Sequence, residues 1–505
     1  MLRFAIAPQA QTSEAGSVDT GPIDSRRGRL LLARIYLAVV FVCTPFAIYT
    51  GLARPTVSQD FFFEATALLG VFFYSAGRLT GLISAPPRDP LRLWIVLYAA
   101  ALAAAAYLSD VRGYTARRCL FPLAGIAFYM IVFAFPWRRR DMARLVACLS
   151  VSAFLAAAYG VIQSLGVEIL PYAEEEREGK MKILSVFGHP NYAASYLGPV
   201  FLLLLSLRFW RQRSALPSRR MAAIVGGAAL AAGLVSAAIF FSVGLIWLGL
   251  VAALGAAAWA IGRFQALAAV ILILFFLLAG ARGVWLALIS AALFALLFWG
   301  AKAKWSVRAG AKWIAGAAIG LGAFGAACLW TPLGAYLARR TAETRPIASR
   351  VYAFVLAVEM IKQRPLLGWG YANYETHYFD EVMKFQRRPG AEIYNAYLML
   401  SEGVPPKNVH NDLLEIAVDC GLIGVFAVLG MAVAFGLSMA RALRASADSR
   451  DSALLLGILL ALGCLAIDGL FSFPLRLPCS AVLFWGLLGI GSRLGASRPA
   501  DQNPA

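Results

Sequence analysis

Apolar runs of about twenty residues recur along most of the chain, and they decide what it can fold into. They lie near 30–53, 61–84, 91–109, 119–137, 143–168, 190–209, 221–240, 242–261, 264–281, 283–300, 312–330, 412–440, 453–471 and 477–495. A helix of roughly 20 apolar residues crosses the hydrocarbon core of a bilayer. Inside that core every backbone N–H and C=O needs a partner within the protein, which leaves only helices and closed barrels. The ten-residue alternating segments of barrel strands are absent. The expected fold is therefore all-α: a polytopic helical bundle with about 12–14 transmembrane helices. A soluble chain carries about 25% charged residues; this one carries 14% and is 60% hydrophobic.

The net charge of +19 invites a nucleic-acid reading, but the positions of the charges do not support it. Basic residues come in short bursts between apolar runs: Arg26-Arg27, Arg138-Arg139-Arg140, 211–220, 302–312 and 441–444. That is the positive-inside pattern of membrane proteins, so the chain meets lipid and no nucleic acid. The alternation places both termini inside and segment 331–411 outside. It divides the chain into a disordered cytoplasmic tail (1–29), membrane helices (30–330), a large outer loop (331–411), further membrane helices (412–495) and a second tail (496–505). The seven cysteines show neither a disulfide framework nor zinc spacing and read as small packing residues.

Two outer segments are substantial. The first, 171–191, holds the acidic run Glu174-Glu175-Glu176 and ends in Phe187-Gly188-His189-Pro190-Asn191 just before a helix. The second is 331–411. Within it, Val351, Phe354, Val355, Val358 and Ile361 are apolar at helical spacing. They predict an amphipathic helix over 350–362 that lies on the membrane or on the bundle. Pro365 and Gly368-Trp369-Gly370 end it.

His410, one of three histidines, stands just before the apolar run that begins at 412. Asp412 and Glu415 have the spacing of a capping box and mark a helix start. The positive end of a helix dipole disfavours imidazolium, and a neutral imidazole can accept a proton as a general base. The bland alternative is a histidine bonded to a loop carbonyl. Arg282 stands alone between two apolar runs. A charge so placed marks a candidate functional site, and a guanidinium suits a diphosphate; otherwise it snorkels to headgroups. Arg350 opens the amphipathic helix and offers a second cation, with Arg339, Arg340 and Arg345 as competitors and a solvated loop charge as the alternative. Asn191 is placed to cap a helix or to present its amide to a sugar, and His189 stands beside it. Metal motifs of the D-x-D and H-E-x-x-H types are absent, as are a P-loop and G-x-S-x-G. Asp60 and Glu64 are the one early acidic pair. No metal and no cofactor is expected.

Several stretches together resemble the O-antigen ligase / O-antigen polymerase superfamily. They are Phe187-Gly188-His189-Pro190-Asn191-Tyr192-Ala193-Ala194; Ala281-Arg282-Gly283-Val284-Trp285; Arg350 followed by Pro365-x-x-Gly368-x-Gly370; and His410-Asn411 followed by Asp419-x-Gly421-x-x-Gly424. Asp468-Gly469-Leu470-Phe471-Ser472-Phe473-Pro474-Leu475 is similar to ligase-like members. Two departures are Ala281 for the usual serine and Asp419 for the commoner glutamate.

The resemblance implies a bacterial inner-membrane enzyme with its active site facing the periplasm. It implies inverting, metal-independent transfer of a glycan from an undecaprenyl-diphosphate carrier to an acceptor hydroxyl, with lipid A–core as the leading acceptor. It carries over His410 as the base, Arg282 and Arg350 as diphosphate ligands, and Asn191, Asn411 and His189 as substrate contacts. A polysaccharide polymerase and a protein O-oligosaccharyltransferase stay open within the family. From other classes, an anion or lipid-linked sugar transporter and a non-catalytic scaffold stay open, although no inverted repeat is visible.

Overall fold

The computed structural model describes residues 22–48, 55–81, 83, 85–168, 183–209, 263–302, 345–388, 408–446 and 449–496. Among these residues there are thirteen α-helices and no strand. In chain order they are α1 (Pro22–Cys43), α2 (Pro55–Leu79), α3 (Arg92–Leu108), α4 (Arg112–Ala134), α5 (Arg139–Ser164), α6 (Pro190–Phe209) and α7 (Phe264–Ala279). They continue as α8 (Arg282–Lys302), α9 (Arg345–Gln363), α10 (Asn373–Gln386), α11 (Asp412–Ala445), α12 (Ser449–Asp468) and α13 (Pro478–Ala496). Helices α1–α8 and α11–α13 fall on the expected apolar runs. The runs at 221–240, 242–261 and 312–330, with Arg339, Arg340 and Glu174-Glu175-Glu176, lie outside the described residues. α1 begins at Pro22, earlier than the expected boundary at 30.

Among the described residues four helices are each long and apolar enough to cross a bilayer, and five shorter helices are also apolar. The chain is a multi-pass all-α membrane protein. Its outer surface is apolar as lipid requires. On α11, Leu422, Phe426, Leu429, Val433 and Leu437 form an exposed stripe at helical spacing. The interior is held by close helix–helix approach. α12 packs on α6 and α8, α11 on α3, α13 on α4, and α5 on α7. A methyl group at Gly457 of α12 would lie 2.5 Å from Ser206 of α6, so the small residue lets the two backbones meet.

The described helix ends meet in two groups. At one end, the Gln59 amide of α2 donates to the carbonyls of Pro45 (2.9 Å) and Val186 (3.1 Å). Arg364, just after α9, pairs with Asp110 before α4 at 2.7 Å. The Asp412 N–H donates to the Gly469 carbonyl at 2.7 Å, which brings the start of α11 to the end of α12. At the other end, Arg34 of α1 pairs with Asp141 of α5 at 2.8 Å, and the Tyr129 hydroxyl of α4 bonds Asp89 at 2.8 Å.

Helix α9 confirms the expected helix and corrects its face. The buried stripe is Tyr352, Ala353, Leu356, Ala357 and Met360, packed with Tyr374, Tyr378, Val382 and Phe385 of α10 and with Val418 of α11. Val358 is exposed, and Val351, Phe354, Val355 and Ile361 are half-buried. The helix is apolar on both sides, so spacing alone could not choose between them. α10 was not expected, because its sequence is largely polar.

A break in α11 organises the loop. Gly421 takes φ 65° and ψ −168°, which only glycine adopts readily. The break frees carbonyls before it and amides after it. The turn following α9 takes both sets. The N–H groups of Trp369 and Gly370 donate to the carbonyls of Val418 (2.8 Å) and Asp419 (2.9 Å). The N–H groups of Leu422 and Ile423 donate to the carbonyls of Pro365 (2.8 Å) and Leu366 (3.4 Å). Non-helical backbone within a membrane bundle needs such internal partners.

Candidate active site

The start of α11 carries His410. Val409, just before it, is fully buried in the cluster between α9 and α10. His410 itself has φ 63°, a left-handed conformation uncommon outside glycine. Asn411 is then extended and forms the true N-cap: its Oδ1 accepts the Leu414 N–H at 3.0 Å. Its Nδ2 donates to the Leu470 carbonyl at 3.1 Å. The expected box on Asp412 is therefore displaced by one residue. The Asp412 carboxylate instead accepts the Leu475 N–H at 3.3 Å. Both residue types cap helices well, so the sequence left the register ambiguous.

The His410 ring packs on Phe473 at 5.0 Å between centroids. Phe473 contacts Tyr192 at 5.5 Å, and Tyr192 stacks on His189 at 4.6 Å. This row of rings joins the start of α6 to the start of α11. His189, not Asn191, caps α6: its Nδ1 accepts the Asn191 N–H at 3.1 Å, and Pro190 occupies the first helical position. Asn191 lies one residue further in, where its carbonyl accepts the Ser195 hydroxyl at 2.9 Å.

Arg282 is the first residue of α8. Gly280 closes α7 in a left-handed conformation, and the Trp285 indole donates to the Phe276 carbonyl at 2.9 Å. The tight turn thus presents Arg282 at the end of the bundle, exposed. Gly283 lies directly against Asp468; a methyl group there would sit 2.8 Å from Oδ1. Asp468 is buried at the end of α12 and accepts the Ser195 hydroxyl at 2.5 Å.

The electrostatics tie these groups together. Burial lowers the Arg350 pKa; the Arg282 charge lowers it further, and Asp468 opposes them. The His410 pKa is pushed down to about 3, first by burial and then by the charges of Arg350 and His189. The imidazole is neutral at physiological pH. Two guanidinium groups, a neutral imidazole and one carboxylate thus act on one another at one end of the bundle. Such a group can hold a dianionic ligand and accept a proton beside it.

Asp468, Tyr192, Phe473 and Arg476 were given no role from sequence. Asp468 carried a signal, as an acid at the end of an apolar run. Among the described residues no grouping of histidine, cysteine and carboxylate side chains could hold a metal ion. Asp60 and Glu64 face Arg117 and Arg118 of α4, with Arg117 paired to Glu64 at 2.9 Å.

No match to a curated protein was found. Residues 267–429 match the family profile described as O-Antigen ligase. The matched segment holds Arg282, Arg350, His410 and both halves of the joint at the α11 break. Over that segment the chain is similar to O-antigen ligases.

Proposed function

We propose that this protein transfers a glycan from an undecaprenyl-diphosphate carrier to an acceptor hydroxyl, at the periplasmic face of a bacterial inner membrane. The match of residues 267–429 to the O-antigen ligase profile supports ligase-type glycan transfer in general. The leading acceptor is lipid A–core. The observation that carries the finer reading is the coupling of Arg350 to both Arg282 and His410.

In this reading the polyprenyl tail lies in lipid against the bundle. Arg282 and Arg350 hold the diphosphate, and guanidinium groups suit its paired oxygens. His410 takes the proton from the acceptor hydroxyl. The oxygen attacks the anomeric carbon, the bond to the diphosphate oxygen breaks, and the diphosphate leaves with the electron pair. The two arginines stabilise the charge that develops there. Attack opposite the leaving group inverts the anomeric centre. His189, Asn191 and Asn411 border the same mouth and are the proposed sugar contacts.

The test is the fate of lipid-linked glycan in a strain lacking the protein, complemented with wild type or His410→Ala at equal expression. Polymerised glycan left on its carrier, with bare lipid A–core, means ligase. Single repeats still reaching the core mean polymerase, and loss of glycoprotein alone means a protein transferase. Full restoration by His410→Ala would remove the base assignment and favour a carrier or scaffold.

A further inference from the structure

Arg476 lies outside the group just described, in a short 3-10 turn (Pro474–Arg476) between α12 and α13. Its guanidinium is buried. Nε lies 3.0 Å from Glu415 Oε1, and a terminal nitrogen is paired with Asp419. Its face covers the Tyr371 ring at 4.4 Å. Glu415 and Asp419 are each 1% exposed, so Arg476 is their shared counter-charge in the interior.

These contacts reach two different carriers of the proposed site. Glu415 and Asp419 lie on the first segment of α11, which begins just after His410. Tyr371 lies in the turn that follows α9, the helix of Arg350. Asp419 also accepts the Ala372 N–H at 3.0 Å, so that same carboxylate binds the turn as well. Arg476 itself belongs to the connector that carries Phe473 and follows Asp468. The neighbouring Leu475 N–H reaches Asp412. A planar fork can bridge two carboxylates and stack on a ring at once, and lysine cannot. Buried ion pairs add little net stability over apolar packing, while the fixing of register is their best-attested use.

We infer that Arg476 is a positioning residue: it locks the His410 helix, the turn behind the Arg350 helix and the Phe473 connector into one arrangement. The inference rests on the proposed roles of His410 and Arg350, and it is tested by a readout that does not depend on them.

The full-length protein, with its native cysteines replaced by serine, is spin-labelled at Val358→Cys on α9 and Leu422→Cys on α11, both exposed. It is studied in nanodiscs by pulsed dipolar spectroscopy and by transfer from a lipid-linked donor. Arg476→Gln is expected to broaden the inter-label distance distribution and to reduce kcat on the order of 100-fold, since misplacement by about 1 Å costs that much. Arg476→Lys is expected to fall between. Should Arg476→Gln fail to fold, the neutral variant Arg476→Met/Glu415→Gln/Asp419→Asn removes the charge imbalance and is expected to show the same broadening and loss. A narrow distribution with wild-type turnover in a folded variant would overturn the inference, as would broadening without loss of turnover. His410→Ala separates the two readings: it should abolish transfer and leave the distribution narrow. Retained transfer in His410→Ala would count against the base, while the distance data would still judge Arg476.

Discussion

Leu422 sends its backbone N–H not to its own helix but to the carbonyl of Pro365, at 2.8 Å. This bond and its three neighbours join the loop to α11. They make Gly421 irreplaceable. A methyl group there would sit 2.2 Å from the Leu366 backbone, in a conformation that other residues avoid. Gly421→Ala is expected to cost about 3 kcal/mol or more from strain and overpacking. Gly436, on the same helix, faces open space. Gly436→Ala should instead be neutral or stabilising by up to about 1 kcal/mol. Thermal unfolding of both variants in one detergent checks this; equal melting temperatures would refute the joint.

The arginine pair should act on the donor. Arg282→Gln and Arg350→Gln are each expected to raise the donor KM, with kcat/KM falling about 10- to 100-fold for the lost charge-assisted bonds. Lysine should rescue poorly, because it cannot bind two oxygens from one plane. An unchanged donor dependence in both variants would move the diphosphate elsewhere.

His410→Gln is expected to lower kcat about 10²- to 10⁴-fold, the usual span for a lost general base. The pH profile is more diagnostic. With the free-enzyme pKa held near 3 by burial, Arg350 and His189, kcat/KM should show no histidine limb between pH 8 and 5. The kcat limb should lie higher than that of kcat/KM, because a bound diphosphate offsets Arg350 and favours imidazolium. Stability follows the same shift. The folded pKa is below the ordinary 6.5, so the unfolded chain binds the proton first, and stability falls as pH drops from about 6.5 toward about 3. A kcat/KM limb near pH 6.5 would contradict the burial.

Asn373 is fully buried; its amide donates to the Trp369 carbonyl (2.6 Å) and to the Ser109 hydroxyl (2.8 Å), and its Oδ1 accepts the Thr115 hydroxyl (3.2 Å). Asn373→Leu leaves the Trp369 carbonyl without this donor, while the Ser109 and Thr115 hydroxyls keep their bond to each other (2.8 Å). A loss of about 1–3 kcal/mol for the unsatisfied buried group is expected, read as a lowered melting temperature. A melting temperature equal to wild type would show that water reaches the site.

Much of this was legible in the sequence because lipid imposes simple rules. Apolar runs marked the helices. His410, Arg282 and Arg350 stood out because charge and imidazole are rare beside such runs. What escaped notice depended on contacts between distant segments. Asn411 and Asp412 compete as caps, and Glu415 completes a box for Asp412 while its carboxylate is in fact needed by Arg476. α10 is polar because its outer face is exposed, and its buried face is made of aromatic residues spaced among charges. Arg476 was given no role from sequence. The available clue was Asp412, Glu415 and Asp419 on one helical face, which called for a buried counter-charge.

The cap on α6 divides the two histidines of the mouth by proton polarity. With Nδ1 of His189 accepting the Asn191 N–H, any proton on that ring sits on Nε2. In that tautomer the Nε2 edge gives a hydrogen bond and cannot accept one. His410, uncapped and neutral, keeps a lone pair to offer. The row of rings thus ends in a hydrogen-bond donor on one side and an acceptor on the other, which gives it a direction.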